Sequence, residues 1–139
     1  MIVLDTNVLS EPLRPAPHPS VVSWLDAQHV ETLAVTTLSI AQLRYGIAAL
    51  PAGRRKDLLS SRVEHELIPL FAERVLAFDL SASEAYGTLQ ASARSLGRPL
   101  PVMDSLIAAI CAAHGHTLAT RNTADFAATG IPLIDPWSA

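Results

Sequence analysis

Short apolar runs rich in β-formers alternate along the chain with longer stretches of helical period, the arrangement of a parallel sheet with helices in its connections. The runs that predict strands are Ile2 to Leu4, Leu33 to Val35, Val75 to Phe78, Thr117 to Ala119 and Leu133 to Ile134. Between them, Val21 to Ala27 predicts a short helix after the proline-rich loop Pro12 to Pro19. Pro51 closes the next helix, and Arg54 to about Leu67 reads as its partner in a helical hairpin. Ser39-Ile40-Ala41-Gln42 has the form of a capping box, Ser at the N-cap and Gln three residues on, ahead of the stripe Ile40, Leu43, Ile47 and Leu50. Ser81-Ala82-Ser83-Glu84 repeats the form, and its helix is expected to end at Gly97. The clearest period follows Pro101, where Met103, Leu106, Ile107, Ile110, Cys111 and His114 mark one face and Asp104 falls in the first turn beside it.

Composition narrows the picture. A chain of 139 residues makes one domain, 1–139, large enough to bury roughly two thirds of its unfolded surface. Mean hydropathy is +0.30 and half the residues are hydrophobic, yet no run reaches the roughly 20 apolar residues that span a bilayer. The start Met1-Ile2-Val3-Leu4-Asp5 lacks the basic and apolar parts of a signal peptide, so a cytoplasmic protein without a membrane segment is expected. Cys111, the single cysteine, lies in an apolar pattern and reads as a small buried hydrophobe. A net charge of -3 argues against coating nucleic acid electrostatically, so any such contact must be local. Nine of the ten basic residues are arginines, whose planar fork suits phosphate, and the run Arg54-Arg55-Lys56 reads as a solvated helix start. Excess hydrophobicity in so short a chain predicts an apolar patch that a partner or second copy covers.

Chemistry in open α/β sheets gathers at the carboxyl ends of the strands. Asp5 directly follows Ile2 to Leu4 and emerges at that edge, followed by Thr6 and Asn7, either as a site residue or as the cap of a helical turn beginning near Asn7. Asp104 is a second candidate, with the alternative of a first-turn acid facing the helix dipole. Asn122 and Asp125 follow Thr117 to Ala119 and either join the site or start a short helix, Ala124 to Ala128. Gln42 is accounted for equally by the capping box and by a weak role in the site. Arg44 and Arg121 flank these residues and are candidates to hold phosphate, with a surface salt bridge as the plainer fate. His114 and His116 have no Cys or acidic companion at zinc-ligand spacing.

Four blocks in order carry a resemblance: Ile2-Val3-Leu4-Asp5-Thr6-Asn7-Val8-Leu9-Ser10, Thr37-Leu38-Ser39-Ile40-Ala41-Gln42-Leu43-Arg44-Tyr45-Gly46, Pro101-Val102-Met103-Asp104-Ser105-Leu106-Ile107-Ala108-Ala109, and Ala119-Thr120-Arg121-Asn122-Thr123-Ala124-Asp125-Phe126. Their order and spacing resemble PIN-domain proteins of the VapC toxin family from end to end, including the closing Ile134-Asp135-Pro136-Trp137. FitB-like members are especially similar, down to Ser10-Glu11-Pro12-Leu13-Arg14-Pro15 and Leu67-Ile68-Pro69-Leu70-Phe71-Ala72. The resemblance implies a three-layer α/β fold with a four- or five-stranded parallel sheet between helices, and acidic residues converging on one or two Mg²⁺ or Mn²⁺ ions. In that pattern Asp5 and Asp104 match the metal-binding, catalytic aspartates. Gln42 stands where a glutamate is expected, and Asn122 where a third aspartate often stands. An amide oxygen can coordinate Mg²⁺ but brings no charge, so Gln42, Asn122, Asp125, Thr6 and Asn7 are candidates to touch the ion or to orient water and phosphate around it.

The resemblance implies an endoribonuclease toxin silenced by a VapB- or FitA-like antitoxin, with a homodimer or a larger complex on operator DNA formed through the antitoxin. A second reading is a weakly active or inactive FitB-like subunit of a DNA-bound regulatory complex with a small DNA-binding partner, which the amides at 42 and 122 favour. A phosphotransfer fold using Asp5 as nucleophile fares poorly, because Asp5-Thr6-Asn7 has no second aspartate two residues on and Lys56 is badly placed for a phosphoryl group.

Overall fold

Every stretch that the alternating pattern marked as a strand joins a single parallel sheet in the computed structural model, which describes residues 1–139. The strands are β1 (Ile2–Leu4), β2 (Leu33–Thr36), β3 (Val75–Leu76), β4 (Thr117–Ala119) and β5 (Leu133–Ile134), in the order β3-β2-β1-β4-β5. Val3 pairs with Ala34 on one side and Leu118 on the other, which makes β1 the central strand. Connections from β1 lead outward through β2 to β3, and the chain then crosses to β4 and β5 on the opposite side. Order therefore reverses between β1 and β4, where open α/β sheets form a crevice at their carboxyl edge.

Helices fill the connections: α1 (Thr6–Ser10), α2 (Pro19–Asp26), α3 (Thr37–Ala48), α4 (Arg54–Arg62), α5 (Ile68–Leu70), α6 (Leu80–Ser95), α7 (Val102–His114) and α8 (Thr123–Phe126). Successive strand residues point to opposite faces, and two cores result. Leu4, Leu33 and Val35 pack with Val8, Leu9, Ile40, Leu43 and Phe71. Val3, Ala34 and Leu118 pack with Ile107, Ala108, Cys111 and Phe126. The three-layer expectation is met, with five strands. Cys111 is fully buried and its thiol is pushed up to about 12 by that burial, which leaves it an inert core residue.

Several local expectations are corrected. Helix α3 begins at Thr37, and its N-cap is Thr36, whose Oγ1 accepts from Ser39 N at 3.1 Å. Because β2 runs straight into the helix, the cap falls on the last strand residue and Ser39 lies inside the first turn, so no capping box forms. Helix α6 likewise begins early, at Leu80, because its N-cap is Asp79, two residues before the expected Ser81, and the Asp79 carboxylate, in place of the Ser81 hydroxyl, supplies the cap by accepting from Ala82 N at 2.8 Å. It ends as expected at Gly97, whose φ of +69° a side chain would strain. Third, the helix from Arg54 widens into a π turn over Val63–Leu67, where Val63 is buried, before finishing as α5. Strand β3 stops at Leu76, two residues short of the expected Phe78, and α8 starts at Thr123 and gives way to a 3-10 turn at Ala127.

Candidate active site at the carboxyl edge

Asp5 stands at the end of the central strand, and both of its oxygens are engaged. Oδ1 accepts from Thr6 N at 2.8 Å, so Asp5 does cap a helix, beginning one residue earlier than expected. Oδ2 accepts from the Thr120 hydroxyl at 2.8 Å. The capping and site readings are thus compatible, since each carboxylate oxygen keeps a further lone pair. Asp5 is only 4 % exposed. Burial raises its carboxyl above the ordinary 3.8, against the two hydrogen bonds that favour the ionised form.

Asp104 reaches the same edge from the first turn of α7, half-buried. Its carboxyl is also raised, first by burial and then by the negative charges of Asp5 and Asp125. No Lys, Arg or His forms an ion pair with any of these three aspartates. A cluster in this state is relieved by a cation.

Gln42, in α3, turns toward α1, where its Oε1 accepts from the Thr6 hydroxyl. Thr6 Oγ1 also lies 3.1 Å from Ser39 Oγ, which is 3.4 Å from Thr36 Oγ1. A chain of hydroxyls therefore ties α1 to the start of α3, and Gln42 belongs to it. Asn122 sits at the N-cap of α8 with no capping bond from its side chain, and its backbone N donates to Thr120 Oγ1 at 3.1 Å. Asn7 is exposed. Asp125 is exposed too, and lines a cleft of about 430 Å³ with Arg98, Leu100 and Pro101, close enough to Asp104 for its charge to be felt there.

The arginine candidates separate. Arg44 is held by Glu64 through two bonds of 2.7 and 2.8 Å, the salt-bridge fate. Arg121 is exposed, and its guanidinium lies 5.1 Å from the centre of the Trp137 ring. His114 Nε2 is 2.8 Å from Asp79 Oδ2 and His116 lies against the N-terminal ammonium, so both imidazoles are occupied at the opposite end of α7.

Two residues of the site were missed in the sequence. Thr120 is fully buried and directly holds Asp5; its only signal is that it follows β4 as Asp5 follows β1. Ser39 was read as a cap and is instead a buried link in the hydroxyl chain.

No three His, Cys, Asp or Glu side chains converge at metal-ligating spacing. What remains is an oxygen set of two raised carboxylates, Asp5 and Asp104. Such a set fits Mg²⁺, a hard cation often held by one or two carboxylates while it keeps several waters. The protein is thus an α/β protein with a pair of raised, unpaired aspartates at the switch point of its sheet.

Its family follows from comparison with known proteins. The model of the PIN domain matches residues 2–131, and the chain belongs to that family. It is 48% identical to the plasmid stability protein StbB of Pseudomonas syringae pv. tomato over the whole of both chains. It is 47% identical to the VapC ribonuclease Y4jK of Sinorhizobium fredii over 99% of this chain and 98% of that one. The crystal structure of FitAcB from Neisseria gonorrhoeae superposes with a TM-score of 0.96 at 40% identity, covering both chains completely. That of FitAB bound to an IR36 DNA fragment gives 0.95 at 40%, over 99% of this chain and 96% of that one.

Proposed function

We propose that the chain is a Mg²⁺-dependent endoribonuclease and the toxin of a type II toxin–antitoxin pair. The observation that carries the proposal is the unneutralised pair Asp5 and Asp104, both raised, at the carboxyl edge beside the switch point. Bound there, Mg²⁺ (or Mn²⁺ in its place) supplies a lowered pKa for a bound water and charge stabilisation for the scissile phosphate. Asp5 and Asp104 would hold the ion, and Thr120 and Thr6 N keep the Asp5 carboxylate in one orientation. Gln42, fixed by Thr6, and Asn122, whose side chain is uncommitted, orient water and phosphate around it. The relatives named a VapC ribonuclease and a plasmid stability protein support this reading.

The partner is a VapB- or FitA-like antitoxin. The C-terminal segment of that antitoxin would lie across an apolar groove of about 430 Å³, whose rim includes Pro12, Leu25 and the exposed Leu70 over a floor of core residues such as Val8 and Phe71. The likeness to FitAB bound to an IR36 DNA fragment supports assembly with the antitoxin on operator DNA, in which the chain itself would be a homodimer. The setting is cytoplasmic, in keeping with the lack of any helix long and apolar enough to cross a membrane. Cleavage of single-stranded RNA that requires Mg²⁺ or Mn²⁺ and disappears in Asp5→Asn and in Asp104→Asn tests the proposal; equal cleavage by either variant refutes it. The second reading, a weakly active regulatory subunit, rests on the amides at 42 and 122. Harmless expression without the antitoxin, together with undetectable cleavage, would select it.

A further inference from the structure

At the carboxyl end of β4, beside β1, the Arg121 guanidinium is free of any carboxylate. Arg121 follows Thr120, which fixes Asp5, and precedes Asn122, whose N bonds that same hydroxyl. It is exposed and makes no ion pair. The Trp137 ring is its neighbour, with the guanidinium carbon 5.1 Å from the ring centre. A guanidinium over an indole gains from the ring quadrupole and keeps its N–H fork available in its own plane. Those donors suit phosphate oxygens.

The end of the chain is built so that the ring arrives there. Strand β5 is in register with β4, Ala119 opposite Ile134, and Thr120 N donates to Ile134 O at 2.9 Å. Asp135 then turns the chain: its Oδ1 accepts from Trp137 N at 2.9 Å and its Oδ2 from Ser138 Oγ at 3.0 Å. Trp137 is partly buried against the core that contains Leu4 and Val8, so the indole is itself held. Sheet register, an aspartate turn and core packing thus combine to hold one aromatic face against one arginine.

We propose that Trp137 is a positioning residue that holds Arg121 at the carboxyl edge, next in sequence to the Thr120 that binds Asp5, where the guanidinium grips a phosphate of the RNA backbone flanking the one being cleaved. The inference rests on the ribonuclease reading. Carboxylates at the edge repel a polyanion, and in a chain of net charge -3 a fixed local cation restores affinity. Stacking lowers the cost of fixing a side chain that otherwise samples many rotamers.

The test uses the full chain in Mg²⁺ with a fluorescein-labelled single-stranded RNA of mixed sequence, read by anisotropy and by cleavage kinetics. Arg121→Ala is expected to weaken binding about tenfold and to reduce the slope of log Kd against log salt by about one. Trp137→Leu keeps an apolar side chain and loses the quadrupole; it is expected to weaken binding about two- to fivefold, in KM with kcat nearly unchanged. Trp137→Phe restores most of that loss, and adding Trp137→Leu to Arg121→Ala weakens binding no further. Native affinity in Trp137→Leu, additive losses in the double variant, or a fall in Tm and kcat with KM unchanged would overturn the proposal and leave Trp137 as tail packing. Failure of the wild-type chain to bind RNA overturns it as well. Binding without cleavage refutes the ribonuclease reading alone, and the same variants still decide the role of Trp137.

Discussion

Thr120→Val keeps the outline of a side chain and removes one hydroxyl with two partners, Asp5 Oδ2 and Asn122 N. Thr120 is fully buried and Asp5 nearly so, which leaves no room for water to replace the lost donor. A hydrogen bond to a charged group contributes about 1.5–3 kcal/mol. The substitution should cost about that much at neutral pH, or roughly 6–12 °C in Tm at about 4 °C per kcal/mol. Its pH dependence has a definite sign. Burial holds the folded carboxyl above 3.8 and the hydroxyl opposes it, so removal lifts the folded value further and leaves the unfolded one in place. Between the two values the folded state binds more protons, and stability falls as pH rises through that window. The variant extends the window upward. Its deficit relative to wild type is therefore greatest at neutral pH and narrows as Asp5 becomes protonated in both proteins. Urea unfolding followed by circular dichroism, from the ordinary carboxyl value of 3.8 up to neutral pH, measures this. A deficit constant across that range, or an unchanged Tm, would refute the coupling between Thr120 and the Asp5 charge.

Other expectations follow from the same geometry. Because burial raises Asp5 and Asp104, and the Asp5 and Asp125 charges raise Asp104 further, an NMR titration of the metal-free protein should find both carboxyls above the ordinary value of 3.8; values at or below it would show that burial does not govern these groups. Gln42→Glu preserves an acceptor for the Thr6 hydroxyl and adds a charge, so calorimetry should show tighter Mn²⁺ binding, whereas no gain would place residue 42 outside reach of the ion. Thr36→Val removes the α3 cap and should lower stability by about 1 kcal/mol in chemical denaturation; a neutral result would mean that the Ser39 N–H finds another acceptor.

The periodicities were enough to place the strands and to set Asp104 in a first turn, because alternation of two and of 3.6 reflects which face of each element meets the core. The placement of Asp5 at the carboxyl edge was legible for the same reason: it directly follows the central strand, and carboxyl ends face the crevice whatever the loops do. Helix starts were legible only in part. Ser39 and Ser81 have the right local form, yet Thr36 and Asp79 take the caps, since the competition among nearby acceptors is settled by where the strand or loop delivers the chain. Gln42 shows the consequence, as a residue with a sufficient local explanation that makes its bond instead to Thr6, 36 positions away. The hold of Thr120 on Asp5 spans 115 positions and has no local signature. Arg44 and Arg121 look alike as exposed cations in sequence, but the π turn delivers Glu64 to one and the register of β5 delivers Trp137 to the other. Charge and hydrophobic pattern are properties of the chain, whereas the partner that each polar group meets depends on which distant segments the folded sheet brings together.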